Sequence, residues 1–477
     1  NTFPENTQKF FFDVSYSDEF NLGLMSSINQ SLGGKSAPRK RNAETPHVRS
    51  KSFWKKYRRE STLRIFLSAK IEYLETLLLN LILRSLGGRA PAGVTRIGLH
   101  KSGLSRTSIV KLALSLGRKC LVQVLYFPVI DSCPPDPEAR EILKSSLMRN
   151  MESRSSLASF EKAIYALAHT YLPTSLFERI GGTNVERRER NFDHIVTSSG
   201  HWLDDSFKAY VATERAAGAH LTIVEHGGTF HVEDHVYEFE RNSGDFYVPG
   251  ARLGTEKGSG TTDLPIFKFF NPKPVRQGPS RNLIVVIYEG NKWANRASAQ
   301  PISYRAMHLA GQIEEVVENL SEEVRQRTIL KAPARDPQWA ALSAIYERIS
   351  LTTEGMVRTP LRKALKRSRI TLCCYPETAF GEAMGCGRPT LLLVNLNVYN
   401  LHPASKEIFR RLLDARIAFT SPQQVAAHIN LIWPDPGYWW NSAEVLSARG
   451  LFMNFLNIHD SDGVSNWVEF LGGVNSG

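Results

Sequence analysis

At 477 residues, the chain has room for two to four domains of about 100–200 residues each. Hydrophobic residues make up 42% and charged residues 22%, which excludes a mostly disordered chain, a collagen-like repeat and a disulfide miniprotein. Lys and Arg exceed Asp and Glu by 59 to 47, a net charge of +12, and the excess implies an anionic partner: nucleic acid, a lipid headgroup, or a phosphorylated or acidic substrate.

The N-terminal segment, 1–60, is basic and is expected to be partly flexible. Asn1 to Phe12 lacks the basic start and apolar run of a signal peptide. The chain opens on Asn rather than Met, as one missing its first residues would. Between Lys35 and Arg59 stand ten Lys or Arg and one acid, Glu44. Pro38, Pro46 and several serines punctuate this stretch, which reads as a basic loop running into the amphipathic start of a helix at Phe53, Trp54 and Tyr57. Such a loop is either a solvated surface or a contact for anionic lipid or a polyanionic glycan. No base-stacking or groove-reading motif accompanies it, so nucleic acid is not expected. The next helical candidate, Leu63 to Leu86, carries Arg64, Lys70, Glu72, Glu75 and Arg84, too many charges for a spanning helix. Its apolar density predicts a core helix of a soluble domain, with a peripheral membrane role as the alternative.

Over 61–250 the pattern becomes strand, loop, helix. Strands are predicted at Val94 to His100, Cys120 to Phe127, Asn191 to Ser199, Ala219 to Glu225 and Gly244 to Val248. Helices are predicted at Thr107 to Leu116, across most of Glu138 to Arg179, and at Ser206 to Ala217. Continuous apolar strands alternating with helices indicate a parallel sheet covered on both faces. Residues 251–281 are rich in Gly, Pro, Ser and Lys and form the best linker. A second series follows over 282–432. Its strands are Asn282 to Tyr288, Thr328 to Ala332, Ile370 to Cys374 and Pro389 to Val394. Its helices are Tyr304 to Asn319, Leu361 to Lys366, Thr378 to Gly385, Ser405 to Asp414 and Pro422 to Ile432. The tail, 433–477, is helical and rich in Trp, Phe and Leu.

The layout is α/β and GT-B-like: two Rossmann-like, doubly wound domains facing a cleft, the first for an acceptor and the second for a nucleotide-sugar, with a C-terminal helical segment. Periodicity fits a two-domain dehydrogenase or a periplasmic-type binding protein equally well. No Gly-x-Gly-x-x-Gly follows a strand and no Gly-x-x-x-x-Gly-Lys-Ser/Thr occurs, which argues against a standard dinucleotide or P-loop site.

Chemistry concentrates at strand ends, which face the ligand crevice in parallel sheets. In Tyr375 to Thr390, the residues Glu377, Thr378 and Ala379 fall where a helix begins, and its free N–H groups and positive end favour a phosphate. Thr378 adds a hydroxyl. Glu382 lies one turn on and faces the same way, suited to a ribose hydroxyl. An ordinary N-cap is the competing role of this turn. After the third strand, Ser199 precedes Asp204 and Asp205, either of which could be a general base for an acceptor hydroxyl; helix capping competes. The fourth strand ends in Glu225, His226, Gly227 and Gly228. The two glycines let the backbone approach a ligand closely, and His226 suits acid/base work or phosphate binding. His231, Glu233, Asp234 and His235 have no spacing that fixes a metal site, and no metal is expected. Lys331 and Arg335 suit an anionic donor, and Glu289 ends the first strand of the second series. The Asp-x-Asp at Asp460 to Asp462 lies in the tail and reads as a surface turn.

At these residues the sequence resembles a family of bacterial surface-polysaccharide (O-antigen-type) transferases, GT-B-like and associated with sialic-acid-like nonulosonate biosynthesis. The matching stretches are Ser198-Ser199-Gly200 with Asp204-Asp205-Ser206-Phe207, Glu225 to Gly228, Lys331 with Arg335, Asp336 and Trp339, and Tyr375 with Thr378 and Glu382. Ile432-Trp433, Trp439 to Ser442 and Trp467 recur in the tail. The resemblance runs from about Trp54 to Phe470. Pro376 and Glu377 stand where the family has a small polar run, and Glu225 where it has Gln. The residues and the resemblance together give the expectation of a cytoplasmic transferase, peripheral at the inner membrane through 35–59. It would move Kdo or a sialic-acid-like sugar from a CMP-linked donor to a polysaccharide acceptor, with inversion and no cofactor. A teichoic-acid-type transferase using a CDP-polyol is the nearest alternative. A non-catalytic glycan- or lipid-binding protein on the same scaffold is another.

Overall fold

The computed structural model describes residues 70–86, 93–127, 135–153, 159–172, 191–225, 227, 238–252, 262, 264–266, 281–288, 306–333, 340–396, 401–457 and 463–473. His226, Gly228, Glu289, Arg335, the basic stretch 35–59, most of the 251–281 segment and Asp460 to Asp462 lie outside them.

The first sheet holds β1 (Thr95–His100), β2 (Cys120–Val124), β3 (His194–Thr197), β4 (His220–Val224) and β5 (Phe246–Val248), in the order β2-β1-β3-β4-β5. The second holds β6 (Asn282–Val286), β7 (Thr328–Lys331), β8 (Gly355–Val357), β9 (Ser368–Cys373), β10 (Thr390–Leu393) and β11 (Ala418–Phe419), in the order β11-β10-β9-β6-β7-β8. The pairings β1–β3, β3–β4 and β4–β5 are parallel, as are β7–β8, β6–β7, β6–β9, β9–β10 and β10–β11. Each sheet starts at an inner strand, builds one edge and then returns to build the other. These are the two doubly wound orders, with ligand crevices expected outside β1/β3 and β6/β9, where the order reverses.

Strand chemistry explains the burial. Every residue of β3, β6 and β10 is buried, as continuous Ile, Val and Leu runs covered on both faces should be. In the second sheet Leu283, Val285, Ile313, Leu330, Leu372 and Ile429 belong to one core cluster.

The helices, in chain order, are α1 (70–86), α2 (Arg106–Leu116), α3 (Pro137–Glu152), α4 (Ser159–Tyr171), α5 (Gly200–Leu203), α6 (Asp205–Ala216), α7 (Glu238–Ser243), α8 (Ala306–Glu318), α9 (Glu322–Gln326), α10 (Ala340–Ser350), α11 (Leu361–Leu365), α12 (Thr378–Gly385), α13 (Pro403–Asp414), α14 (Pro422–Ile432), α15 (Pro436–Trp440), α16 (Ala443–Phe455) and α17 (Gly463–Gly473). Their starts follow local sequence. Ser105 accepts from the Ser108 N–H, Asp136 from Glu138 and Ala139, and Ser421 from Gln424. Pro137 and Pro422 occupy the first turn, where a missing N–H costs nothing.

The chain separates into two compact units, one made of segments within 1–85, 123–190 and 201–217, the other of the rest. In the first, α1 docks on the end of β2 through Asn80, whose side-chain amide exchanges hydrogen bonds of 2.9 and 2.8 Å with the Val124 carbonyl and N–H. Tyr73 lies against Tyr126 at 5.3 Å between centroids. The sequence reading placed this helix in a core, and the structure corrects it: Leu79 and Leu83 are buried, but Ile71, Leu74, Leu77, Leu78, Leu81, Ile82 and Leu86 are exposed. A helix apolar around most of its circumference can bury only the face that has a partner.

In the second unit the tail touches layers of both sheets. The ring of Phe452 on α16 lies 5.0 Å from that of Phe380 on α12. The Arg252 N–H then donates to the Phe455 carbonyl at 2.8 Å, and its guanidinium to Asn454 and Asn457. Trp467 is fully buried and donates its indole N–H to the Pro265 carbonyl at 3.0 Å. Phe470 meets His194 and Phe246 at 5.6 and 5.3 Å. His194 is fully enclosed there, its Nε2 bonded to the Thr222 hydroxyl, and burial pushes its pKa down to about 3. The imidazole is neutral at physiological pH.

Candidate functional site

The reversal point of the second sheet gathers the densest chemistry. β6 leads into Ile287 and Tyr288; the Ile287 N–H donates to the Lys331 carbonyl at 3.1 Å. The Tyr288 carbonyl accepts from the buried Tyr346 hydroxyl at 2.8 Å. Register puts Val286 between Lys331 of β7 and Cys373 of β9. Beyond β9, the Tyr375 ring lies 5.4 Å from that of Tyr288 at 60°.

The chain then turns at Pro376 and enters α12. Glu377 is the residue before the helix, in extended backbone, and its side chain does not cap. Its carbonyl accepts from the Phe380 N–H at 2.9 Å. Thr378 and Ala379 lie in the first turn, whose N–H groups have no partner within the helix. Glu382, one turn on, is half-buried, as are Thr378 and Ala379. Lys331 and Glu382 both act electrostatically on the Cys373 thiol, so charges of opposite sign converge beneath the end of β9.

Desolvation sets the protonation states. Burial pushes the Glu377 carboxyl up to about 8. Glu377 is therefore largely neutral at pH 7 and carries an O–H donor. Burial, with Glu377 next in effect, drives the Tyr375 phenol well above its usual range, so it too remains a donor. Cys373 and Cys374 are fully covered and their thiols shifted upward by burial, which leaves no thiolate nucleophile here.

Strand ends of the first sheet place a second group of candidates. Lys101 follows β1 with φ of 42°, and Gly103 has φ of 82°. The Ser198 N–H donates to the Lys101 carbonyl at 3.1 Å, and the Gly200 N–H to the Thr197 hydroxyl at 2.9 Å. Ser199 sits in this turn, half-buried. Asp204 is buried and caps α6, accepting from the Phe207 N–H at 3.1 Å. Asp205 pairs with Lys208 at 2.9 Å. Glu225 is buried, and its carboxylate accepts from the Gly250 N–H. A Cβ at Gly250 would stand 2.5 Å from that carboxylate, so this pair ties the end of β4 to the turn after β5. Gly227 has φ of 96°, a conformation that favours glycine.

The structure thus brings together Lys331, Tyr375, Glu377, Thr378, Ala379 and Glu382, and adds Tyr288 and Tyr346. Tyr288 was marked in the sequence only by its place at a strand end. Tyr346 lies on α10, a helix the pattern reading did not identify. An open pocket of about 490 Å³ beside edge strand β11, lined by Arg416, Phe419, Thr420, Gln424 and His428 among others, contains none of the sequence-predicted residues. Among the described residues, no group of three or more His, Cys, Asp or Glu is arranged to hold a metal ion. No described helix is long and apolar enough to cross a membrane.

The family model described as LIC12162 family transferase matches residues 1–471, including the stretch before Trp54 that the resemblance read from the sequence leaves out. The chain belongs to the LIC12162 family of transferases. No curated protein matches the sequence. Among solved structures, the chain is similar to the pneumococcal O-GlcNAc transferase GtfA in complex with UDP and GlcNAc, at 13% identity and a TM-score of 0.35, over 59% of this chain and 56% of that one. The chain therefore spans little more than half the length of that relative. It is also similar to Acinetobacter baumannii MurG, at 12% identity and TM-score 0.34, over 79% of this chain and 99% of that one. A third is the wall teichoic acid polymerase TagF, at 7% identity and TM-score 0.39, over 85% of this chain and 96% of that one.

Proposed function

We propose that this LIC12162-family transferase is a GT-B-type glycosyltransferase that takes a CMP-linked 2-keto acid sugar, Kdo or a sialic-acid-like nonulosonate, and passes the sugar to a surface-polysaccharide acceptor. The observation that carries the reading is the start of α12. Two open N–H groups, the Thr378 hydroxyl and a neutral Glu377 stand at the reversal point of a doubly wound sheet. One phosphate satisfies that donor set without a metal. Lys331, with Arg335, would balance the donor's carboxylate, and Glu382 would accept from a ribose hydroxyl. Tyr288 and Tyr375 offer ring faces to the base. In the first domain, Asp204 or Asp205 would take the acceptor proton in an inverting displacement. His226, beside Gly227 and Gly228, would steady the leaving phosphate. The basic stretch 35–59 would bring the enzyme to anionic lipid.

Thermal unfolding in the presence of CMP, CDP, UDP, GDP and ADP, with and without magnesium, tests the donor. A nucleotide at about 100 times its dissociation constant stabilises by roughly 2.7 kcal/mol. Stabilisation by CMP without metal is expected. Selectivity for UDP or GDP overturns the donor, and selectivity for CDP with a phosphorylated polyol product moves the enzyme to polyol-phosphate transfer. No response to any nucleotide favours a binding protein. Full turnover by both Asp204→Asn and Asp205→Asn would remove the base assignment.

A further inference from the structure

α1 leaves a long apolar stripe in water. Ile71, Leu74, Leu77, Leu78, Leu81 and Ile82 are each between 42% and 62% exposed. At about 100° per residue, the six share one arc roughly 140° wide. The opposite side is occupied: Leu79 and Leu83 are buried, and Asn80 is bonded to the Val124 backbone. The stripe is thus the face left over after docking. Lys70 and Arg84 fall on or beside it along one border, Glu75 borders it on the other, and Glu72 falls with the buried leucines. An apolar arc of this width on a single helix is rare on a monomer surface and marks a contact surface.

Charge selects the occupant. The segment that feeds α1 in sequence carries ten basic residues and one acid between Lys35 and Arg59. A helix that exposes an apolar arc and follows a cluster of Lys and Arg in sequence has the two elements of interfacial binding to anionic bilayers. We infer that α1 lies in the plane of an anionic membrane surface, with this stripe among the upper acyl chains. The inference deepens the lipid contact given above to 35–59, and it is read independently of the donor.

Flotation of the full chain with vesicles tests it. Vesicles of phosphatidylglycerol and phosphatidylcholine should carry the protein, with binding that weakens in salt, and pure phosphatidylcholine should carry far less. L78E/L81E, both at solvent-exposed positions, should lower partitioning at least about tenfold and leave the unfolding temperature unchanged. L78W should gain tryptophan quenching by brominated lipid beyond that of the wild type. Wild-type protein that stays off anionic vesicles, or L78E/L81E that floats like the wild type, overturns the inference. So does a wild-type dimer that L78E/L81E splits with no change in flotation, since a second copy would then cover the stripe. Nucleotide stabilisation measured on the same proteins separates the two readings: failure of the membrane contact leaves it intact, and failure of the donor leaves flotation intact.

Discussion

His194 and Glu377 are both titratable groups that burial holds neutral, and they sit at opposite ends of their strands. His194 opens β3, sealed by Phe246, Phe470 and the Thr222 hydroxyl. Glu377 lies just past the end of β9, where a helix begins that its side chain does not cap. One physical effect, desolvation, serves two purposes. At the N-terminal edge it keeps His194 neutral in a core under the tail, and at the C-terminal edge it leaves a largely protonated carboxyl beside a helix start. The contrast follows from parallel strands, whose carboxyl ends open onto the crevice while their amino ends are free to be covered.

The sharpest way to break the sealed half is acid. His194 has a folded pKa of about 3 against 6.5 unfolded, so its contribution is complete above 6.5 and is lost as pH falls toward 3. Unfolding free energy should drop by on the order of 5 kcal/mol over that descent. H194Q, which keeps a partner for Thr222, should flatten the slope in denaturant titrations taken at stepped pH. Removing the cover has a comparable cost. W467A should lose about 4 kcal/mol, and W467F, which loses the bond to the Pro265 carbonyl and part of the ring volume, about 2 kcal/mol.

The open half answers to base. Glu377 has a folded pKa raised to about 8 from 4.5, so its contribution to stability is full below 4.5 and is lost as pH rises through 8. E377Q should therefore unfold at a higher temperature than the wild type, by a margin that widens up to pH 8 and is constant above it. Wild-type affinity for CMP should fall as pH passes 8, by up to about tenfold per unit, while that of E377Q should not; isothermal titration at pH 7 and pH 9 reads both. The smallest effect belongs to a single hydroxyl. T378A should weaken CMP binding by about 1 kcal/mol and barely change the unfolding temperature, because Thr378 lies inside the first turn and is not the cap.

Much of the architecture was legible in the pattern. The apolar runs at Leu283 to Val286, Ile370 to Cys373 and Leu391 to Leu393 are buried on both faces, and such strands announce themselves. α12 and α14 lie where the reading put them, because Pro422 and the Gly385 to Pro389 exit punctuate the chain. β8 and β11 were missed. The first is three half-buried residues and the second two residues long, too short for any period to show. α10 was also missed; it follows directly on the charged run Lys331 to Asp336. The core placement of α1 failed for a different reason: hydrophobicity says that a face prefers burial, not that a partner exists.

Residue order was enough to show where β7 and β9 end, and therefore that Lys331, Tyr375, Thr378 and Glu382 stand at or just beyond strand ends. Alternation of apolar strands with helices is a local property, and the crevice follows from it by topology. The protonation of Glu377 and His194, the pairing of the Tyr288 and Tyr375 rings and the return of Trp467 to Pro265 belong to the folded chain alone. Each depends on atoms distant in sequence or on a backbone conformation taken up in the fold. Desolvation, ring contact and hydrogen-bond geometry are set by those neighbours and not by the residue that experiences them.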